Sequence, residues 1–168
     1  MQIAVISDTH MPRGARALPD ACVERLRDAD LILHAGDLTG AAFLDELLSF
    51  GPAVAAVHGN MDEAAVRERL PEDRVVDAAG ARIAMVHIPG PSGGRAQRLA
   101  ARFRGCDAVV YGHTHVADVT RHGAMWILNP GSPTERRRSP ARSMLWLTIP
   151  GGGPEHVLLE PVLLTFDP

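Results

Sequence analysis

The chain has 168 residues, 46% of them hydrophobic, and a formal net charge of -3, with an isoelectric point near 6.2. That length and composition suit one domain with its own core, expected over residues 1–168. The acidic balance excludes the broad basic surface by which proteins hold nucleic acid, so any anionic ligand must be drawn by something local.

Taken in chain order, short runs rich in Val, Ile and Leu predict buried strands at 3–6, 31–33, 53–57, 83–86 and 108–111. Between them, segments 19–27, 41–48, 63–70 and 95–103 carry apolar residues three or four apart and predict helices. Strand and helix in alternation predict an α/β layered fold. Beyond Tyr111 the pattern changes: 116–121, 125–128, 144–149 and 156–164 read as strands joined by Gly or Pro turns. The loop 132–142 is rich in Pro and Arg and 151–154 is a tight connector, but neither is long enough to divide the chain. Cys22 and Cys106 lie far apart and form no CxxC, so both are expected as buried small residues. No run approaches the roughly 18 apolar residues that cross a bilayer. The first strand-like run, 2–6, follows no basic leader, and a soluble, cytoplasmic protein is expected.

Residues able to ligate a metal collect where strand-like runs end. Ser7-Asp8-Thr9-His10 follows the first run, His34-Ala35-Gly36-Asp37 the second, and His58-Gly59-Asn60-Met61-Asp62 the third. His87 closes the run 83–86, and Gly112-His113-Thr114-His115 follows 108–111. In layered α/β folds the loops leaving strand ends converge, so residues distant in sequence meet there. Asp8, His10, Asp37, Asn60, His87, His113 and His115 form an oxygen and nitrogen set without thiolate. Such a set suits Mn, Fe, Co, Ni or Zn but not Cys-rich structural zinc. It is too large for one tetrahedral ion and fits two ions sharing a carboxylate. Two dications bring about +4 and their anionic ligands remove about 3, leaving a local positive excess for phosphate.

The order D-x-H, GD, GN-x-D, a lone His and GHTH resembles the calcineurin-like metallophosphoesterase superfamily, and within it the small single-domain phosphodiesterase branch. Asn129-Pro130-Gly131-Ser132 resembles that branch's closing motif, and the resemblance runs from residue 3 to about 147. It implies a four-layer α-β-β-α sandwich with two mixed sheets. It implies that Asp8, His10, Asp37 and His115 hold one metal, and that Asp37, Asn60, His87 and His113 hold the other, with Asp37 bridging. Manganese is the first expectation for both ions, with zinc, iron, nickel or cobalt as alternatives. Asp37, Asn60 and His113 are then the catalytic residues, and a hydroxide shared by the two ions attacks a phosphodiester; phosphomonoesters and nucleotides are further substrate classes to consider.

Met61 stands where many larger members have a His that protonates the leaving group, and Met has no proton to give. Either substrates whose leaving group needs little acid help, or a proton borrowed from another group, are therefore expected. Ile88 stands where a Gly commonly follows the metal-binding His. Asn60, His113 and one guanidinium of the run Arg136-Arg137-Arg138, with Arg136 first, are expected to meet the substrate phosphate. His34 and His58 are expected to support ligands or be satisfied internally, while His122 and His156 are expected at the surface. Asp62 has the chemistry to cap the helix after it as well as to act in the site. Asn129 to Ser132 is good turn chemistry that could also line the site.

A eukaryotic retromer subunit resembling the same branch keeps the fold with a degraded metal site and works by binding partners. A non-catalytic scaffold is therefore the alternative to an enzyme acting on a small phosphate ester. A phosphate-binding loop has little support, because neither GxxxxGK[ST] nor GxGxxG follows the first strand. Oligomerisation through the apolar C-terminal segment is left open.

Overall fold

The structure, a computed structural model, describes residues 1–13, 17–150 and 159–167. Its elements in order are β1 (Gln2–Ile6), α1 (Asp20–Asp28), β2 (Leu31–His34), α2 (Ala41–Leu48), β3 (Ala53–Ala56) and α3 (Ala64–Arg67). Then follow β4 (Asp73–Ala78), β5 (Ala81–Val86), α4 (Arg95–Arg102), β6 (Ala108–Tyr111), β7 (Asp118–His122), β8 (Met125–Asn129), β9 (Ser143–Thr148) and β10 (Glu160–Thr165).

These strands form two mixed five-stranded sheets, ordered β10-β9-β1-β2-β3 and β4-β5-β6-β8-β7. Within the first, β1, β2 and β3 run parallel, with Ile6 beside His34 and His34 beside Ala56. Within the second, β5, β6 and β8 run parallel, with Val86 beside Tyr111. The antiparallel strands lie outside these parallel sets.

Side-chain alternation along each strand assigns the layers. Ile3 and Val5 pack with Leu31, Leu33, Ile83, Met85, Val110 and Leu145 in a core between the sheets. Ala4 and Ile6 point the other way, onto Cys22 and Leu26 of α1 and Phe43, Leu44 and Leu47 of α2. On the outer face of the second sheet, Val86, Val109 and Ile127 lie under Leu99 of α4 and the adjacent Phe103. The result is the expected helix-sheet-sheet-helix sandwich. Strands covered on both faces need apolar residues at every position, which is why they read as continuous hydrophobic runs. Each fully buried aliphatic side chain contributes about 1.5–3 kcal/mol.

Two elements depart from expectation. β4 carries Asp73, Arg74 and Asp77 among its residues and is mostly exposed at a sheet edge, so it has no apolar signature; the Ala79-Gly80 turn, both residues at positive φ, pairs it with β5. The helix expected over 63–70 is a single turn, Ala64–Arg67, followed by Pro71. The connector 151–154, the first part of the strand expected from 156, and His156 lie outside the described residues. Cys22 and Cys106 are buried free thiols, and His122 is exposed at the end of β7. No helix among the described residues is long and apolar enough to cross a membrane.

Candidate metal centre

The C-terminal ends of β1, β2 and β3 in one sheet and of β5 and β6 in the other open on the same edge of the sandwich. Asp8 and His10 leave β1, Asp37 leaves β2, Asn60 follows β3, His87 follows β5, and His113 and His115 follow β6. The loops turn sharply to do this: Asp8, His10, Asp37, His113 and His115 all have left-handed backbone, with φ of 56°, 48°, 58°, 71° and 58°. Such conformations cost of order 1–3 kcal/mol each in a non-glycine residue and cluster at functional sites.

Five of the seven expected ligands meet, and Asn60 and His113 lie beside them at the rim. Ligand atoms of Asp8, His10 and His115 lie within 4.8 Å of one another, as do those of Asp8, Asp37 and His87. Asp8 belongs to both groups, and Asp37 Oδ2 is 3.6 Å from His10 Nε2 and 3.2 Å from His87 Nε2, so each carboxylate touches both. Asp8 Oδ1 is 3.3 Å from His115 Nε2. At the open rim, His113 Nδ1 is 2.9 Å from Asn60 Oδ1. Asp8, His10, Asp37, His87 and His115 are buried, whereas Asn60 and His113 are exposed.

Close approach of the loops depends on glycines, among them Gly36, where a methyl would overlap the His87 ring. A methyl at Gly59 would overlap Asp37 Oδ1, and one at Gly112 would overlap Ser7 Oγ and crowd Asp8 Oδ2. Around them a polar scaffold holds the ligands. Ser7 Oγ donates to Asp8 Oδ2 at 2.8 Å, and the His113 N–H donates to the same carboxylate at 3.0 Å. Asp62 accepts the backbone N–H groups of Gly59, Asp37 and Thr39 at 2.6, 3.1 and 2.6 Å. Asp62 therefore binds two ligand loops together and makes no cap on α3, whose first turn receives no side-chain hydrogen bond. Asn129 Nδ2 donates to the Gly112 carbonyl at 3.1 Å and Ser132 Oγ to the Asp8 carbonyl at 2.8 Å, so the closing motif ties down the loops that carry ligands.

His34 is buried, accepts the Gly36 N–H on Nδ1 at 3.2 Å and contacts Thr9 Oγ1 through Nε2 at 3.1 Å, the supporting role expected of it. His58 is half-buried and near its neighbour's carbonyl, with Nδ1 3.5 Å from Gly59 O. Of the arginine run, Arg136 is exposed and its charge acts on Asp167, while Arg137 donates to Glu135 at 2.9 Å. Glu135 in turn sits 3.6 Å from His115 Nδ1, and the charge of Arg137 is felt by His10, His113 and His115. The arginine set toward the cluster is thus Arg137. Ser7, Glu135 and the bracing role of Asp62 were not read from the sequence. The only local hint was their adjacency to motif residues.

The family model for the calcineurin-like phosphoesterase superfamily domain matches residues 1–152. The chain belongs to the calcineurin-like phosphoesterase superfamily. A probable metallophosphoesterase of Methanothermobacter thermautotrophicus is 40% identical over 139 residues, covering 82% of this chain and 80% of that protein. Vps29 of Chaetomium thermophilum shares the fold at 24% identity and a TM-score of 0.77, over 98% of each chain. Vps29 of Entamoeba histolytica, solved with zinc, is 25% identical with a TM-score of 0.75, over 97% of this chain and 99% of that one.

The calcineurin-like fold here leaves a donor arrangement that protein atoms alone do not satisfy. His87 donates from Nδ1 to the Ala35 carbonyl at 2.8 Å, which turns Nε2 toward Asp37; buried, that nitrogen has no hydrogen-bond partner. His10 Nε2 and His115 Nε2 face each other at 3.2 Å beside the two carboxylates. Lone pairs converging from imidazoles and carboxylates in a buried space match the donor set of a divalent cation, so the residues fit the metals the family binds.

Protonation follows the same geometry. Burial pushes the Asp8 carboxyl up to about 7, against the opposing charge of His87 and the hydrogen bond from Ser7. Burial acts to lower His87, but the carboxylates of Asp37, 3.2 Å away, and of Asp8 outweigh it and raise it. Burial also acts to raise Asp37, yet His87 and the Met61 N–H hold it below the usual carboxylate range. Burial lowers His10 and His113 and takes His115 and His34 to about 3, leaving these imidazoles neutral near pH 7.

Proposed function

We propose that this chain is a dinuclear metal-dependent phosphoesterase that prefers phosphodiesters. The observation that carries the reading is the position of Asp37 Oδ2, 3.6 Å from His10 Nε2 and 3.2 Å from the unpartnered Nε2 of His87. In this reading Asp8, His10, Asp37 and His115 hold one ion, and Asp37, Asn60, His87 and His113 hold the other. When bound, two such ions polarise phosphoryl oxygens and lower the pKa of water so that it attacks phosphorus in line. Manganese is the first candidate, with zinc, iron, nickel and cobalt compatible with the same donors.

The protein's own groups then divide the work by exposure. Asp8, Asp37, His10, His87 and His115 are buried and rigidly held, which fixes the cations. Asn60 and His113 lie at the open rim, where an arriving phosphate is oriented. Arg137 adds a nearby positive charge, but Glu135 pairs it at 2.9 Å. With Arg137 paired, the positive excess at the site would come chiefly from the ions, about one charge, which suits the monoanion of a diester better than the dianion of a monoester. Met61, 45% exposed where a proton donor would stand, supplies none.

With the manganese-loaded protein, kcat/KM for bis(4-nitrophenyl) phosphate is expected to exceed that for 4-nitrophenyl phosphate by about tenfold or more. Across a series of aryl diesters the rate should fall steeply as the leaving-group pKa rises, because no acid assists departure. Equal rates on the two ester classes would remove the diester assignment, and a flat leaving-group dependence would remove the role given to Met61.

Cation binding should also respond to pH with a definite sign. Asp8 keeps its proton until about pH 7, and His87 is raised as well, so below that range a cation must displace protons to enter. Calorimetric affinity for Mn2+ is expected to fall roughly tenfold per unit below about pH 7 for the proton displaced from Asp8, with His87 adding to the loss in the same direction. Affinity that stayed constant down to about pH 5.5 would contradict the ligand assignment.

A further inference from the structure

A cavity of about 180 Å3 adjoins the cluster, and Asn60 and His87 belong to both. On its far side the wall is apolar: Val86 is buried beneath it, and Ile88 is 50% exposed at its mouth. Arg67 closes another side, with its Nε donating to the Asp62 carbonyl at 2.8 Å and its Nη2 to the Asn60 carbonyl at 2.6 Å. A guanidinium pinned by two carbonyls is a preorganised plane on which an aromatic ring can stack. Glu72 also lines the cavity.

We infer that this cavity is a substrate subsite that receives one uncharged, single-ring aromatic arm of a phosphate ester whose phosphoryl group lies at Asn60 and His113. This rests on the phosphoesterase reading of the site. Size sets the ring count, since a cavity of about 150 Å3 is enough to hold benzene and the space here is only slightly larger. A fused second ring must reach past Ile88, which is half exposed where the cavity opens. Charge sets the rest: Glu72 repels an anionic arm, and Arg67, already engaged with two carbonyls, offers its face more readily than its N–H groups.

Methylphosphonate, phenylphosphonate and 1-naphthylphosphonate share one head group and differ only in the arm, so their competition with a turned-over diester isolates the cavity. On the manganese-loaded wild type, phenylphosphonate is expected to bind about tenfold more tightly than methylphosphonate, and the naphthyl compound no better than the methyl one. Ile88→Trp, which fills the mouth, should bring the phenyl-to-methyl affinity ratio close to one. Ile88→Ala, which widens it, should let the naphthyl compound overtake the methyl compound. A wild type that binds phenyl and methyl compounds equally, or a ratio that Ile88→Trp leaves unaltered while diesters are still hydrolysed, overturns the subsite. Absence of any diester turnover and of binding by every phosphonate is a different outcome, and it overturns the phosphoesterase reading on which the subsite rests.

Discussion

Asp37→Ala is expected to lose bound metal and catalytic turnover together, with kcat/KM falling by more than about a thousandfold. Among the described residues no other carboxylate oxygen stands as Asp37 Oδ2 does, 3.6 Å from His10 Nε2 and 3.2 Å from His87 Nε2. Its second oxygen accepts the Met61 N–H at 2.7 Å, which fixes the side chain before any cation arrives. Removing it takes a ligand from both ions and leaves His87 facing an empty space. Elemental analysis of the purified variant, beside its rate on a diester and its melting temperature without metal, checks the claim. A variant that kept two ions per chain and its rate would defeat the bridging assignment. A wild type that bound metal but never turned over would favour the scaffold reading, which the fold shared with Vps29 makes worth testing.

The second large effect is on stability. Asp62→Ala should cost at least about 3 kcal/mol, because it leaves the N–H groups of Gly59, Asp37 and Thr39 without their acceptor. Each buried donor so orphaned costs about 1–3 kcal/mol, and Asp62 is only 4% exposed, so water does not easily replace it. For a chain of this size that corresponds to a melting temperature lower by roughly 10 °C. Asp62→Asn should recover only part of the loss, since its amide nitrogen cannot accept from the N–H groups that Oδ2 serves. Thermal and urea unfolding of the metal-free proteins measure both variants, and a loss below about 1 kcal/mol for Asp62→Ala would show that the three contacts are dispensable.

Which parts were legible in the chain follows from the range of the forces involved. The strands β1, β2, β3, β5 and β6 announced themselves because burial on both faces demands unbroken apolar runs. β4 did not, since an exposed edge strand tolerates Asp73, Arg74 and Asp77 and takes its conformation from pairing with β5. Asp8, Asp37, His113 and His115 stood out as ligand chemistry placed after strands. Asp62 reads equally as a helix cap and as a site residue, because a short acid before a helix is often a cap, and its partners are brought near by the meeting of two loops. Arg136 and Arg137 could not be ranked from a run of identical residues. Only the path of the loop past His115 sets Arg137 nearer to the cluster.

From sequence alone came the layered α/β class, the ligand types and their order along the chain, because periodic burial and donor chemistry are local properties of residues. Tertiary structure decided how closely Asp8 and Asp37 approach the imidazoles, which hydrogen bonds brace the loops, and that a cavity lined by Ile88 opens beside Asn60 and His87. Those depend on distances between residues tens of positions apart, and such distances exist only once the two sheets have packed and closed the edge between them.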